Sequence, residues 1–366
     1  MKILLDAMGG DNAPEATIKG AVKAAKELDS EIILIGKEDV IKSKLKEYYG
    51  KEDIKELSPN LSIHHTTETI EMEDTPTVAI KHKKDSSMVV GFRMLNEGEG
   101  DVFISAGNSG ALLTGATLLV GRIRGIDRPA IAAILPSEGN EHGLMLMDAG
   151  ANTNCKPINL LQFAQMATLY LRETFGIQKP RIGLLNIGTE ETKGNDLCKE
   201  SYQLLKEKAE EYNINFVGNV EPRDCFLGEI DALVCDGFTG NVLLKTVEGI
   251  GKFVKKIMNE SFKKNVFSKV AAIPSLPAIN SIKGKADYKS YGGALFLGVK
   301  KPVVKAHGSS DDYVFYYTIK QADQFVKRKL SRKNGWSCWK TKKWKCCWRV
   351  KRYFFFKSID ILFNID

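Results

Sequence analysis

No uninterrupted apolar run in this chain approaches the ~18 residues needed to cross a bilayer. The opening MKILLDAMGG reaches an aspartate at position 6, before a secretory h-region can form. Cysteine is sparse and unpatterned: the seven residues at 155, 198, 225, 235, 338, 346 and 347 contain no CxxC pair. An odd count without regular spacing speaks against both a disulfide framework and a zinc site, and the expectation is reduced thiols in a cytoplasmic protein. There is no GxGxxG, so no dinucleotide fingerprint, and no Ser–His–Asp signature. No Asp cluster has metal-holding spacing, and no internal repeat is visible.

What is present reads as an ordinary globular enzyme, with 43% hydrophobic and 27% charged residues. The net charge of +8 is misleading, because thirteen Lys or Arg and two Asp lie between 327 and 366. That stretch alone carries +11, which leaves residues 1–326 at −3. The stretch 331–366 also holds all four Trp and three of the seven Cys. Interleaved basic and aromatic residues suit single-stranded nucleic acid or a membrane surface. So abrupt a change fits a shifted reading frame or a sequence junction better, and no nucleic-acid partner is expected. The division is therefore an α/β body over 1–330 and an atypical basic, aromatic tail over 331–366.

Short apolar runs bounded by Gly, Asp or Ser predict strands at 2–7, 31–36, 61–65, 101–105, 130–135, 144–148, 181–187, 215–220, 231–235 and 302–306. Helical spacing predicts helices at 14–28, 77–95, 159–175, 191–210, 241–264 and 318–330. Asp11 or Asn12 can cap the first of these, with Pro14 in its opening turn. Strands alternating with helices predict an α/β fold with a largely parallel sheet. The segment 265–282, NVFSKVAAIPSLPAINSI, is apolar, broken by Pro274 and Pro277, and follows several lysines. Buried hairpin packing and peripheral membrane contact both fit it.

Six polar loops stand at the ends of predicted strands. The first is DAMGGDNAP, with Asp6, Gly9, Gly10 and Asn12. The second is AGNSGALL, with Asn108 and Ser109 at a helix start. The third, DAGANTNCKP, carries Asn152 and Asn154, and the fourth, NIGTEETKG, carries Gly188, Glu190 and Lys193. DGFTGN, with Thr239 and Asn241, and HGSSD, with His307 and Ser309, complete the set. Any one alone is no more than a turn. Ligands in open α/β sheets bind at strand ends, and loops rich in Gly, Asn, Ser and Thr offer N–H groups to an anion. Six together point to one shared anion-binding cleft. Lys193 is the leading cation there, and His307 is either a base, a phosphate ligand or structural. Arg122, Arg124 and Arg128 are candidates for an acidic partner, with Arg128, just before Pro129 and a buried strand, the strongest. Cys155 has no His partner in sequence and reads as structural.

The segments LLDAMGGDNAP, KKDSSMVVGFRML, ISAGNSGALL, DRPAIAAILP, MDAGANTNCKP, LLNIGTEETKGND, NFVGNVEPRD, CDGFTGNVLLKTVEG and YGGALFLGVKKPVVKAHGSSD together resemble the PlsX family of acyl-carrier-protein:phosphate acyltransferases. They occur in the order expected and span roughly residues 1–325. The resemblance implies a homodimer of the isopropylmalate-dehydrogenase-like or phosphotransacetylase-like α/β fold. It implies transfer of a long-chain fatty acyl group from acyl-carrier protein to inorganic phosphate, without cofactor or metal. The acyl phosphate would supply a membrane glycerol-3-phosphate acyltransferase in phospholipid synthesis. Lys193, Asn154, Glu190 and His307 are then the catalytic candidates. Asp6, Gly9, Gly10, Asn12, Asn108, Ser109, Asn152, Gly188, Thr239, Asn241 and Ser309 are candidates for holding phosphate or acyl-pantetheine. Arg122, Arg124 and Arg128 would meet the carrier protein. The tail departs from the family pattern.

A thiolate with a pKa of ~8.5 leaves with little acid assistance. Such an enzyme therefore works by positioning and by stabilising the tetrahedral oxyanion. Three rival readings are a phosphate acetyl- or butyryltransferase using acyl-CoA, a nicotinamide-dependent decarboxylating dehydrogenase of the same fold class, and a basic binding module acting through the tail.

Overall fold

The computed structural model describes residues 1–263 and 292–331. The 265–282 segment, and the tail beyond Ser331, lie outside the described residues. The strands are β1 (Lys2–Asp6), β2 (Glu31–Gly36), β3 (Leu61–His65), β4 (Val102–Ser105), β5 (Ala130–Leu135), β6 (Leu144–Met147), β7 (Arg181–Leu185), β8 (Asn215–Val220), β9 (Ala232–Val234), β10 (Ala294–Leu297) and β11 (Val303–Lys305). The helices are α1 (Glu15–Ala25), α2 (Glu38–Tyr49), α3 (Pro76–His82), α4 (Ser87–Glu97), α5 (Ser109–Gly115), α6 (Pro157–Phe175), α7 (Asp196–Lys208), α8 (Gly237–Lys263) and α9 (Asp312–Ser331).

One sheet runs in the order β3-β2-β1-β4-β11-β10-β5-β6-β9-β7-β8. Alternation along the strands divides the interior into two cores. Ile3, Leu5, Ile32, Leu34, Val102 and Ile104 face one core, with α1, α6, α7 and α9. Leu4, Ile33, Ile35 and Phe103 face the other, with α3, α4, α5 and the inner side of α8. A sheet covered on both faces has buried, nearly continuous apolar strands, which is how these runs read in the sequence.

The sheet is largely parallel, as expected, but its two halves point opposite ways. β3, β2, β1, β4 and β11 are mutually parallel, and so are β6, β9, β7 and β8. Between them β10 runs antiparallel to both β11 and β5, and β5 antiparallel to β6. The strand ends of the two halves therefore lie on opposite edges of the sheet. The six polar loops form two groups rather than one rim, and a further element must join them.

Three local expectations are corrected. No side chain caps α1, whose first turn follows Pro14; the Asn12 amide instead reaches across the sheet edge. The helix expected over 77–95 is two, because Lys83 leaves the helical region and the Ser86 hydroxyl caps α4 at Val89 N. α2 and β10 are additions, while α5 is the helix whose start was read at Asn108 and Ser109. α2 buries only Ile41 and Leu45, a stripe too narrow to show as periodicity.

Candidate functional site

The first group of loops is bolted together at the ends of β1, β4 and β11. Asp6, buried at the end of β1, accepts a hydrogen bond from Ser105 Oγ at 2.6 Å and one from Met8 N at 3.1 Å. Burial pushes the Asp6 carboxyl above the ordinary carboxylate range, against the opposing pull of Ser105, Ser87 and the Met8 and Gly9 N–H groups. Gly9 passes so close to Gly107 that a Cβ there would sit 2.8 Å from Gly107 N and 2.5 Å from Asp6 Oδ2. Only glycine lets these two backbones meet. Gly10 follows, and the next residue, Asp11, donates its N–H to Gly308 O at 2.8 Å. Asn12 Nδ2 donates to the carbonyls of Ser309 and Ser310, at 3.4 and 3.1 Å. Asn108 is committed to structure: its Oδ1 caps Ala111 N, and its Nδ2 donates to the carbonyls of Glu71, Met72 and Asp74. Ser109 opens α5, partly exposed.

The second group is organised by Asp148, just after β6 and fully buried. Its carboxylate accepts from the N–H groups of Ile131, Gly150, Ala151 and Asn152 and from Asn152 Nδ2. Asn152 also donates to Pro129 O at 2.7 Å, so its amide too is used up within the fold. Asn154, two residues on, is exposed. Asp236 caps α8 by accepting from Phe238 N, Thr239 N and the Thr239 hydroxyl at 2.6 Å. Gly240 is pressed against this loop, where any Cβ would overlap the Asp148 carbonyl oxygen. Burial first, then the charges of Asp148 and Asp236, pushes the Cys155 thiol up to about 12. It stays protonated at neutral pH and cannot act as a nucleophile, in line with its structural reading. Arg128 is exposed, and its charge reaches Cys155, which places it at this loop. Arg122 turns back to donate to Asp127 O, while Arg124 is exposed.

The loop after β7 lies alongside. Asn186 Nδ2 holds the Lys193 carbonyl at 3.1 Å, and Asn219 Nδ2 holds the Glu190 carbonyl at 2.8 Å. The Glu190 carboxylate and the Lys193 stem fold over Gly188, with the two charges 4.0 Å apart. Both side chains are exposed. The backbone is fixed while the charges stay free.

α8 joins the two groups. At its start, Asn241 lies against Gly150; one turn along the same face, ~6 Å by helix geometry, comes Lys245. Lys245 Nζ is 2.6 Å from His307 Nε2, and His307 Nδ1 is 2.9 Å from Ser309 Oγ. Glu248, a further turn along, takes Lys245 at 2.8 Å and His307 at 3.4 Å. One helix face thus runs from the Asp148 loop to the β11 loop and touches both groups.

Sequence patterns singled out His307, Asn241 and Ser309, but not Lys245, Glu248 or Lys305. Lys245 and Glu248 read as ordinary helix polarity. Lys305 did carry a signal, as a charge between Val304 and Ala306 within an apolar strand.

Burial raises the Glu248 carboxyl, but His307 and Lys245 outweigh it and hold the group at about 2. Against an unfolded value of 4.5, the depressed pKa means stability that is complete above pH ~4.5 and is lost as pH falls towards 2. Lys305 is the remaining charge facing it. Glu248→Gln is therefore expected to flatten the acid limb of melting temperature against pH between those limits. An unchanged limb would show that the His307–Lys245 contacts do not stabilise the fold.

Among the described residues, no three His, Cys, Asp or Glu side chains are grouped to hold a metal. No helix among them is long and apolar enough to cross a membrane.

The fold is a phosphotransacetylase-like α/β scaffold. A phosphotransacetylase from Streptococcus pyogenes superposes with a TM-score of 0.55 at 16% identity, over 89% of this chain and 94% of that one. A 4-hydroxythreonine-4-phosphate dehydrogenase from Klebsiella pneumoniae gives 0.51 at 12% identity, over 89% and 99%. Likeness at such identity speaks for the fold alone. Sequence is more specific. Residues 1–333 match the family described as fatty acid synthesis protein. A phosphate acyltransferase from Acetivibrio thermocellus is 49% identical over 330 residues, 90% of this chain and 94% of the relative. One from Thermoanaerobacter pseudethanolicus is 45% identical over 327 residues, 89% and 94%. The chain belongs to this family, the PlsX family to which its motifs pointed.

Proposed function

We propose that the enzyme transfers a long-chain fatty acyl group from acyl-carrier protein to inorganic phosphate, giving acyl phosphate for phospholipid synthesis. The observation that carries this reading is the meeting of the two loop groups along α8. Loops from both sheet edges meet along one face of α8, which sets Asn241 against Gly150 and Lys245 and Glu248 beside His307. Relatives named phosphate acyltransferase, matching nearly end to end, support the acceptor.

In the step, an oxygen of the phosphate dianion bonds to the thioester carbonyl carbon, and the C–S bond breaks with its electron pair on sulfur. The remaining phosphate proton ends on the departing thiolate, directly or through His307, whose ring lies at the cleft. Cations and amide groups stabilise the oxyanion between these events. Lys193 and Glu190, on a pinned loop, are assigned to the reacting carbonyl, with Asn154, Thr239 and Asn241 along the acyl-pantetheine. Gly9, Gly10, Asn12, Ser109, Gly188 and Ser309 shape the walls. Asp6, Asn108 and Asn152 act one layer back, holding those walls in place. Arg124 and Arg128 offer charge to an acidic carrier protein, with Arg122 behind them.

We assign the protein to a cytoplasmic homodimer in peripheral contact with the membrane, where a glycerol-3-phosphate acyltransferase consumes the product. The exposed apolar face of α8, with Phe238, Val242, Ile250, Phe253 and Ile257, supports pairing of two copies. The catalytic body is assigned to residues 1–330. Removing the residues after Ser331 is expected to leave turnover within twofold, and a large loss would put the tail in the active unit.

Phosphate-dependent thiol release, measured with palmitoyl-carrier protein, palmitoyl-CoA and acetyl-CoA in parallel, tests the donor. Preference for the carrier protein bears the proposal out. Activity with acetyl-CoA alone would make the enzyme a phosphate acetyl- or butyryltransferase.

A further inference from the structure

Lys245 and Lys305 belong to different elements at the His307 end of the cleft, sixty positions apart in the chain, and Lys305 shares its β11 face with Val303, which packs on the α8 side of the sheet. Lys245 comes from the exposed face of α8, and Lys305 is the last residue of β11, two before His307. Lys245 is engaged by Glu248 at 2.8 Å and by His307 Nε2 at 2.6 Å. Lys305 is half-buried, and among the described residues it makes no hydrogen bond or ion pair to any acceptor. Two ammonium groups and an imidazole thus face a single carboxylate. Burial and the charge of Lys245 hold the Lys305 ammonium below the ordinary lysine range, with Glu248 acting the other way.

A half-buried cation that makes no ion pair of its own and shares one carboxylate with two other groups costs stability, and such groups persist where a ligand completes them. The missing charge is negative. A tetrahedral dianion has oxygens enough for two ammonium groups and the His307 side of the loop at once. Lys245 is also adjustable: its stem is flexible, and its partner Glu248 lies three residues along the same helix.

We infer that Lys245 and Lys305 bind the acceptor phosphate, and that Glu248 holds Lys245 beside His307 until the dianion takes its place. This rests on the reading of phosphate as acceptor. It adds which end of the cleft phosphate occupies: the β11 end, which leaves the Asp148 end to the acyl thioester.

Steady-state kinetics with phosphate and palmitoyl-carrier protein varied separately, together with melting curves over a phosphate series, test this. Lys245→Met and Lys305→Met are each expected to raise the KM for phosphate at least tenfold and to abolish the rise in melting temperature on adding phosphate. The KM for the acyl donor should stay within twofold. Glu248→Gln should bind phosphate as well as wild type or more tightly, because it removes a repelling carboxylate. If Lys305→Met melts below the assay temperature, Lys245→Met, on an exposed helix face, decides alone. Unchanged phosphate KM in the lysine variants, a rise in donor KM instead, or weakened phosphate binding in Glu248→Gln would overturn the inference. Failure of the wild type to release thiol in a phosphate-dependent way would defeat the functional reading itself, and so is distinguishable.

Discussion

Replacing Asp148 with alanine is expected to lower stability by about 3–5 kcal/mol, since each buried donor left without an acceptor costs about 1–3 kcal/mol and part of that is recovered by relaxation of the loop. For a protein of this size that corresponds to a fall in melting temperature of about 4–7 °C. The reason is the number of groups left behind. Four backbone N–H groups and the Asn152 amide converge on one buried carboxylate. Each loses its acceptor at once where water cannot substitute. Asp148→Asn should do almost as badly. Its amide nitrogen must face either Ile131, Gly150 and Ala151 or Asn152, placing donor against donor. The start of α8 rests on the same loop, through Gly240 and through Gly237 N donating to Asn152 O at 2.7 Å. Activity should therefore fall below what the folded fraction explains. Melting curves of the two variants check this, and wild-type stability in both would mean that Asp148 does not hold the loop.

Lys193→Ala is expected to lower turnover by roughly 100-fold or more, the scale for losing one preorganised oxyanion-stabilising group. It should do so without unfolding the protein. The Lys193 ammonium is exposed, and its ion-pair partner, Glu190, is 4.0 Å away. Surface pairs of this kind contribute little to stability. The fixed part of the loop is its backbone, held through the Glu190 and Lys193 carbonyls, which alanine retains. Turnover near wild type in a well-folded Lys193→Ala protein would remove this residue from the reacting centre. A matched fall in melting temperature would instead make it structural.

Much of the fold could be read from residues because the strands are buried on both faces. Runs such as KILLD and AIAAIL have no other home than the inside of a covered sheet. β10 was not visible because its four residues sit among glycines. The reversal of strand direction between the two halves follows from pairings made far apart in sequence, which no local pattern reports. The loops at strand ends were legible, but the duties of their amides were not. Asn12, Asn108 and Asn152 look alike as loop asparagines. Only packing shows that Asn108 and Asn152 spend their amides on carbonyls, and that Asn12 reaches to the β11 loop. Lys245 and Lys305 mark the opposite limit, since one lies on a helix and the other on a strand sixty positions later, and only the fold sets both at the His307 loop.

The central claim is that phosphate itself receives the acyl group. The most direct test is incubation of palmitoyl-carrier protein with radiolabelled phosphate, followed by separation of the lipid products. The account predicts labelled palmitoyl phosphate, formed one for one with carrier-protein thiol and absent when phosphate is omitted. Release of unlabelled free palmitate at the same rate with or without phosphate would contradict it, because the cleft would then deliver the acyl group to water.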